Sequence, residues 1–277
     1  MCPAQAMGRS SHRHRQNGMN GTGMILLKLT LVPFFLFAVS MAAVRWGPAV
    51  AGWLAGLPIV AGPILYLLVL EQGAAFGVGA AAAALSAIFA SEAFNLAYAW
   101  TCRWYHYCIA AIMGLAAWFV AAVGLTSLPG TPLFALGAAL LGVAAAQTFL
   151  PRTHAAGKVI SITRTDLIMR MVAGAVLTLA VTMLSASLGA QWSGVLTVFP
   201  LLGLILSVSS QRAYGPDFVV RLLRGMVLGR FSFAAFCLCL IWLLPRQNAE
   251  IAFLVSSAVS VAVQWASRQA AAVLRRA

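Results

Sequence analysis

Residues 194–200 read G-V-L-T-V-F-P, and 142 positions upstream residues 52–58 read G-W-L-A-G-L-P. Gly194, Leu196 and Pro200 therefore fall on Gly52, Leu54 and Pro58. The alignment extends at the same offset without a gap. Downstream, Gly73, Phe76 and Val78 meet Gly215, Phe218 and Val220. Phe89, Ala93, Phe94, Leu96 and Trp100 then meet Phe231, Ala235, Phe236, Leu238 and Trp242. Upstream, Gly47 meets Gly189, Ala38, Val39 and Met41 meet Ala180, Val181 and Met183, and Lys28 sits opposite Arg170. Leu, Ala and Val coincide easily in apolar sequences. Gly, Pro and Trp at one fixed spacing do not, and fixed-period self-similarity is the signature of a repeat.

The repeat lies in a very apolar chain. Of 277 residues 62% are hydrophobic and 8% charged, and the mean hydropathy is +0.93. Soluble domains carry about 25% charged residues, so a soluble enzyme, a disordered chain and a disulfide scaffold are excluded. A membrane span needs about 20 mostly apolar residues. Nine are expected, over 24–44, 48–70, 74–100, 104–126, 132–150, 167–187, 190–210, 217–243 and 249–268.

The net charge of +13, from 18 basic against 5 acidic residues, would indicate nucleic acid in a soluble protein. Here it reads first as topology. With the N-terminus outside, Arg45, Arg103, Arg152, Lys158, Arg164, Arg170, Arg212, Arg221, Arg224, Arg268, Arg275 and Arg276 fall on the inner side. The outer loops carry only Arg246. Such a split follows the positive-inside rule and predicts a multi-pass inner-membrane protein with a cytoplasmic C-terminus. Trp46, Trp100, Trp104, Tyr105 and Tyr214 at inner span ends, and Trp192 and Trp242 at outer ends, match the interfacial preference of amphipathic rings.

The tail 1–23, with Arg9, Arg13 and Arg15, goes against this pattern and reads as a disordered extension or a start-site artefact. A competing reading makes 1–42 a secretory signal, but the repeat match across 24–44 favours a structural helix. Four expected helices lie in 24–126 and four in 167–277. The helix 132–150, in the linker 127–166, has no counterpart. An odd number of crossings separates equivalent helices, so the second repeat enters from the opposite face. The expected fold is an all-α polytopic membrane protein of two inverted four-helix repeats joined by a linker helix, an arrangement found in many secondary transporters.

The second repeat, with G-V-L-T-V-F-P followed by Gly215, Leu223, Gly225, Gly229 and Ser232, resembles the GlpM-like small membrane proteins, which are single four-helix units. The resemblance covers 167–243 and, more weakly, 25–100, where Leu57 replaces the Phe before Pro58. It implies a duplicated and fused unit, and it implies no activity for particular residues. A fused inverted pair with a linker helix also looks like the drug/metabolite transporter architecture, a likeness of fold that says little about function.

Few residues offer chemistry. Pro58 and Pro200 lie near the middle of expected helices 2 and 7, where proline removes a backbone hydrogen bond. With Gly56, Gly62 and Pro63 the stretch around Pro58 is expected to kink. Paired Gly/Pro interruptions in two halves point to a transporter site, although Gly and Pro also kink membrane helices for packing alone. Glu92 is the one acid deep in a span, and Asn95 at i+3 shares its face. Ser91 adjoins it. An intramembrane acid is a functional candidate with a partner to be named. Arg230 near mid-span is the expected partner, with Ser232 two residues on. Arg224, six residues away on another face, can snorkel to the inner surface. A fixed structural ion pair is the competing reading.

Arg170, Arg212, Arg221 and Arg224 form an inner basic rim. It serves as an orientation signal against anionic headgroups or as an access vestibule for an anion. Asp166 and Arg170, at i and i+4, are spaced for a helix-start ion pair. Cys2, Cys102, Cys108, Cys237 and Cys239, with His106 and His154, show no metal-binding spacing. No nucleotide loop, zinc motif or nucleophile elbow is present. The five acids, Glu71, Glu92, Asp166, Asp217 and Glu250, are too scattered for acid–base catalysis. No enzyme, cofactor, metal or nucleic-acid partner is expected. The partners expected are the lipid bilayer and a small or lipid-like solute, and a homo-oligomer is compatible with such a chain. The function expected is that of a transporter or permease, with a non-transporting accessory or assembly role as the alternative. The low polar content favours the alternative unless the solute is itself hydrophobic or lipid-like.

Overall fold

A computed structural model describes residues 30, 33–58, 61–128, 130–153, 163–185 and 190–274. The tail 1–23, the start of the first expected span, His154 and Lys158 lie outside them. Among the described residues every regular element is an α-helix: α1 (Pro33–Trp46), α2 (Pro48–Ala55), α3 (Ala61–Gln72), α4 (Ala74–Thr101), α5 (Tyr107–Thr126), α6 (Pro132–Phe149), α7 (Arg164–Ser185), α8 (Ala190–Thr197), α9 (Leu201–Tyr214), α10 (Pro216–Leu243) and α11 (Ala249–Leu274).

Among the described residues six stretches are long and apolar enough to cross a membrane: Ala74–Thr101, Tyr107–Thr126, Pro132–Phe149, Gly194–Tyr214, Pro216–Leu243 and Ala249–Gln269. The chain is thus an all-helical, membrane-embedded protein. Nine spans were expected. The other three differ for visible reasons. Described α1 is short, the stretch 48–70 is divided between α2 and α3, and α7 opens on Arg164, Asp166 and Arg170.

The helix bounds repeat at the offset of 142 residues. It carries Pro48–Ala55 onto Ala190–Thr197 and Ala74–Thr101 onto Pro216–Leu243, the end of α3 at Gln72 onto the end of α9 at Tyr214, and the start of α5 at Tyr107 onto the start of α11 at Ala249. The turns that enter α4 and α10 coincide as well. Gly73 has φ 87° and ψ 170°, and Gly215 has φ 83° and ψ 178°. That backbone region is open essentially only to glycine, which explains why both halves place glycine there.

The long helices α4 and α10 pack against each other at the centre, with α2 laid on α10 and α8 on α4. Small residues permit these crossings. A Cβ on Gly52 would strike the Leu222 carbonyl, and one on Gly194 would strike the Ala80 carbonyl. Those two contacts are images of each other under the repeat. The α2–α10 crossing is the closer one, because Gly56 and Gly229 meet backbone to backbone: a Cβ on Gly229 would lie 2.6 Å from the Trp53 carbonyl oxygen and 2.7 Å from the Gly56 Cα. Gly52/Gly56 and Gly225/Gly229 each have the spacing that lets membrane helices approach closely.

Candidate functional site

The two prolines divide their helices. At the first break Gly56 N–H donates to the Trp53 carbonyl at 3.2 Å and Leu57 N–H to Leu54 at 3.1 Å. At the second, Val198 N–H donates to Val195 at 3.1 Å and Phe199 N–H to Leu196 at 3.0 Å. Each leading half-helix thus tightens into 3₁₀-type bonds at its end. Each proline carbonyl then accepts a bond of the trailing half-helix, Gly62 to Pro58 and Leu204 to Pro200, both at 2.7 Å. The expected kinks are therefore breaks. Proline lacks the N–H that would continue the ladder, and it drives the residue before it out of helical conformation. Pro63 has a different part, lying in the first turn of α3, where its missing N–H costs nothing.

A break leaves carbonyls to be satisfied by protein or water. The two breaks solve this with different side chains. Ser91 Oγ, on α4, donates to the Val198 carbonyl at 3.0 Å. Gln264 Nε2, on α11, donates to the Trp53 carbonyl at 2.6 Å. Trp53 is further held by its indole N–H to Ser267 Oγ at 3.3 Å and by Arg268 over its ring at 5.6 Å.

Beside the second break lies the charge pair. Arg230 Nε donates to Glu92 Oε1 at 2.9 Å, and Asn95 Nδ2 donates to Glu92 Oε2 at 2.9 Å. The carboxylate is wholly buried, while the Arg230 side chain keeps 15% of its surface exposed. The remaining candidates go elsewhere. Ser232 is buried and bonds the Gly229 carbonyl of its own helix at 2.7 Å. Arg224 Nη1 donates to the Leu150 and Pro151 carbonyls, both at 2.9 Å. A cation at those carbonyls complements the C-terminal dipole of α6, so Arg224 anchors the linker helix instead of competing for Glu92.

A cavity of about 60 Å³ lies between the breaks. Gly56 and Leu57 from the first break and Val198, Phe199 and Pro200 from the second line it, with Arg230, Met226 and Phe233 of α10. Its polar groups are backbone carbonyls, the Thr197 hydroxyl and the Arg230 guanidinium, and the other side chains lining it are apolar. Arg230 stands between the cavity and Glu92. Phe199 also packs edge-on against Trp118 of α5, centroids 5.0 Å apart. The Trp118 indole nitrogen is buried without a hydrogen-bond partner among the described residues. A larger cavity of about 260 Å³, between α4, α5 and α6, is lined mainly by small apolar residues and is separate from the charge pair.

Sequence reasoning missed three features. The two close-approach glycine pairs were legible as spacing in the chain. Gln264 was legible too, since Ser256, Ser260 and Gln264 recur every four residues and form one buried stripe on α11. Trp118 carried no signal, because an aromatic in an apolar span looks like any other. Among the described residues Asp166 and Arg170 do not form the expected ion pair. The Asp166 N–H is capped by Thr163 Oγ1 at 3.2 Å, and Arg170 turns inward to Ser40. Among the described residues no group of His, Cys, Asp and Glu could hold a metal. Cys102 and Cys237 are buried, and Cys108 is exposed. Just beyond the end of α4, burial pushes the Cys102 thiol up to about 12, so it stays protonated at neutral pH and unreactive.

Compared with known protein families, curated proteins and solved structures, the chain matches none.

Proposed function

We propose that the protein is a membrane carrier whose solute site is the cavity between the two broken helices. The observation that carries this is the meeting of both breaks around one cavity with Arg230 in its wall. In carriers built from repeats, discontinuous helices offer free backbone groups at the membrane midplane to substrate and coupling ion. The polar inventory is small: carbonyls at the half-helix ends, the Thr197 hydroxyl, and a guanidinium whose Nε is held by Glu92. Such a wall is suited to a small amphiphilic solute with an anionic or acceptor-rich head, which Arg230 would meet. Protonation of Glu92 would release Arg230 toward the solute, and that is a route to proton coupling.

The halves form an inverted pair in this reading. With α1, α2–α3 and α7 also crossing, nine spans result and equivalent helices run in opposite directions. The matching bounds and the reciprocal contacts of Gly52 on Leu222 and Gly194 on Ala80 support a two-fold relation. The arginine-rich end would face the cytoplasm, following the positive-inside rule, and the duplicated unit would be of the GlpM-like kind.

A panel of amphiphilic acids and neutral amphiphiles, tested for thermal stabilisation of the detergent-purified protein, checks this. At least one acid should raise the unfolding midpoint of the wild type and not that of Arg230→Lys, with dependence on pH that Glu92→Gln removes. No stabilisation by any solute, together with a partner protein that co-purifies in fixed ratio, would instead favour a non-transporting assembly role.

A further inference from the structure

Arg170 lies in α7 two turns from its start, yet it is only 3% exposed. An arginine so placed normally snorkels to the surface. This one points inward, and Nη1 donates to Ser40 Oγ of α1 at 3.1 Å. Nε and Nη2 are buried and have no hydrogen-bond partner among the described residues. Tyr214, at the end of α9, and Asp166 act on it electrostatically, but neither takes a hydrogen bond from it. A desolvated guanidinium with one neutral partner is costly, because buried charge needs both pairing and hydrogen bonds.

The identity of the free atoms matters. Nε–H and Nη2–H lie on one edge of the guanidinium and point in parallel. That edge binds two oxygens of a carboxylate or phosphate together, with geometry a lysine cannot reproduce. Ser40 fixes the opposite side and so sets the plane of the fork. Asp166, one helical turn before Arg170, is an acid acting on it, yet among the described residues it leaves both fork atoms without a hydrogen bond. Arg212, over the Tyr107 ring at 5.4 Å, marks the same end of the bundle, two residues from Tyr214.

We infer that the Nε/Nη2 edge of Arg170, held in plane by Ser40, is a binding site for a phosphate-type oxoanion, carried by a lipid headgroup or free in solution. It is built from α1, α7 and the end of α9, apart from the cavity at the breaks, and it does not depend on the carrier reading.

The test measures thermal unfolding of the purified full-length protein after delipidation, in three conditions: chloride alone, inorganic phosphate at matched ionic strength, and phosphatidylglycerol in mixed micelles. The variants are Arg170→Lys, Arg170→Gln and Ser40→Ala, with Arg164→Gln and Arg212→Gln as controls that remove a charge from the same end. Stabilisation of the wild type by phosphate identifies a free oxoanion. Stabilisation by phosphatidylglycerol alone identifies a headgroup. In either case Arg170→Lys, which keeps the charge and loses the fork, should lower apparent affinity at least about tenfold, on the scale of one lost charge-assisted pair. The controls should stay within about twofold, as expected for exposed charges. Native mass spectrometry of the wild type gives a readout that needs no variant: one phosphatidylglycerol should survive activation that strips the rest. Failure of both ligands to stabilise the wild type, a full response in Arg170→Lys, or an equal loss in the controls would overturn the site.

Discussion

The two helix breaks have one backbone and two chemistries. At both, an i→i+3 pair ends the leading half-helix and a proline carbonyl accepts a bond from the trailing one, at equal 2.7 Å distances. Around that shared geometry the neighbours differ. The first break is pressed against glycine backbone, Gly56 on Gly229, and capped from α11 by Gln264. The second faces α4, takes its cap from Ser91, and has the Glu92–Arg230 pair beside it. The repeat equivalents of Ser91, Glu92, Asn95 and Arg230 are Phe233, Ala234, Cys237 and Ile88. The repeat supplies a symmetric frame, and divergence places the polar groups on one side of it. The first break is the tighter joint, and the second has the charged groups beside it.

The largest effect should come from unbalancing the charge pair. Glu92→Gln or Arg230→Met alone leaves a buried charge without its partner, at a cost of about 3–5 kcal/mol. The double variant Glu92→Gln/Arg230→Met should recover most of that, as measured by a double-mutant cycle on unfolding midpoints. Additive losses would mean that the two groups act separately.

Next comes the close crossing. Gly229→Ala places a methyl group against the Trp53 carbonyl and Gly56, and should cost about 1–3 kcal/mol, the usual range for overpacking. Gly203→Ala, at the second break, meets the edge of the Phe94 ring at 3.4 Å and the Pro200 Cβ at 3.9 Å, both ordinary contacts, and should cost clearly less. Equal losses would erase the distinction between a tight joint and a loose one.

The turns sharpen the comparison from the symmetric side. Gly73→Ala and Gly215→Ala meet no atom within 4 Å, so only the backbone conformation is penalised, by about 1–3 kcal/mol. The two losses should match within about 0.5 kcal/mol, the precision to which independent substitutions compare. A marked difference would show that the halves are not equivalent frames.

Smallest are the caps. Ser91→Ala and Gln264→Leu each remove one hydrogen bond inside the bundle, and such bonds average about 0.6 kcal/mol. Because Ser91 serves the break nearest the charge pair, its loss should alter solute-dependent stabilisation, while Gln264→Leu should alter stability alone. Thermal unfolding with and without solute separates the two.

Much of the frame was legible because glycine, proline and tryptophan are constrained residues. Gly73 and Gly215 sit where other residues rarely can, and Pro58 and Pro200 sit where a helix cannot continue. Their spacing therefore carries structural information that Leu and Ala matches do not. The Glu92–Arg230 pairing followed from scarcity, since a lone buried acid needs a cation and few lie at its depth. Arg224 and Arg170 were less legible. Which way a long side chain turns depends on neighbours that are distant in sequence, the Leu150 and Pro151 carbonyls for one and Ser40 for the other. The kinks became breaks for a similar reason: a proline's local effect is fixed, but the extent of helix lost depends on what caps the freed carbonyls.

In the carrier proposed here, both breaks would border one site reached from either side of the membrane. Leu57→Cys and Leu202→Cys place thiols on the cavity wall from the first and second half. In a chain whose five native cysteines are replaced, each can be challenged in oriented vesicles with a membrane-impermeant maleimide added from one side at a time. A carrier predicts labelling of both positions from both sides, with Glu92→Gln shifting the ratio between sides. Protection of both positions from both sides, in a protein that remains folded, would contradict it.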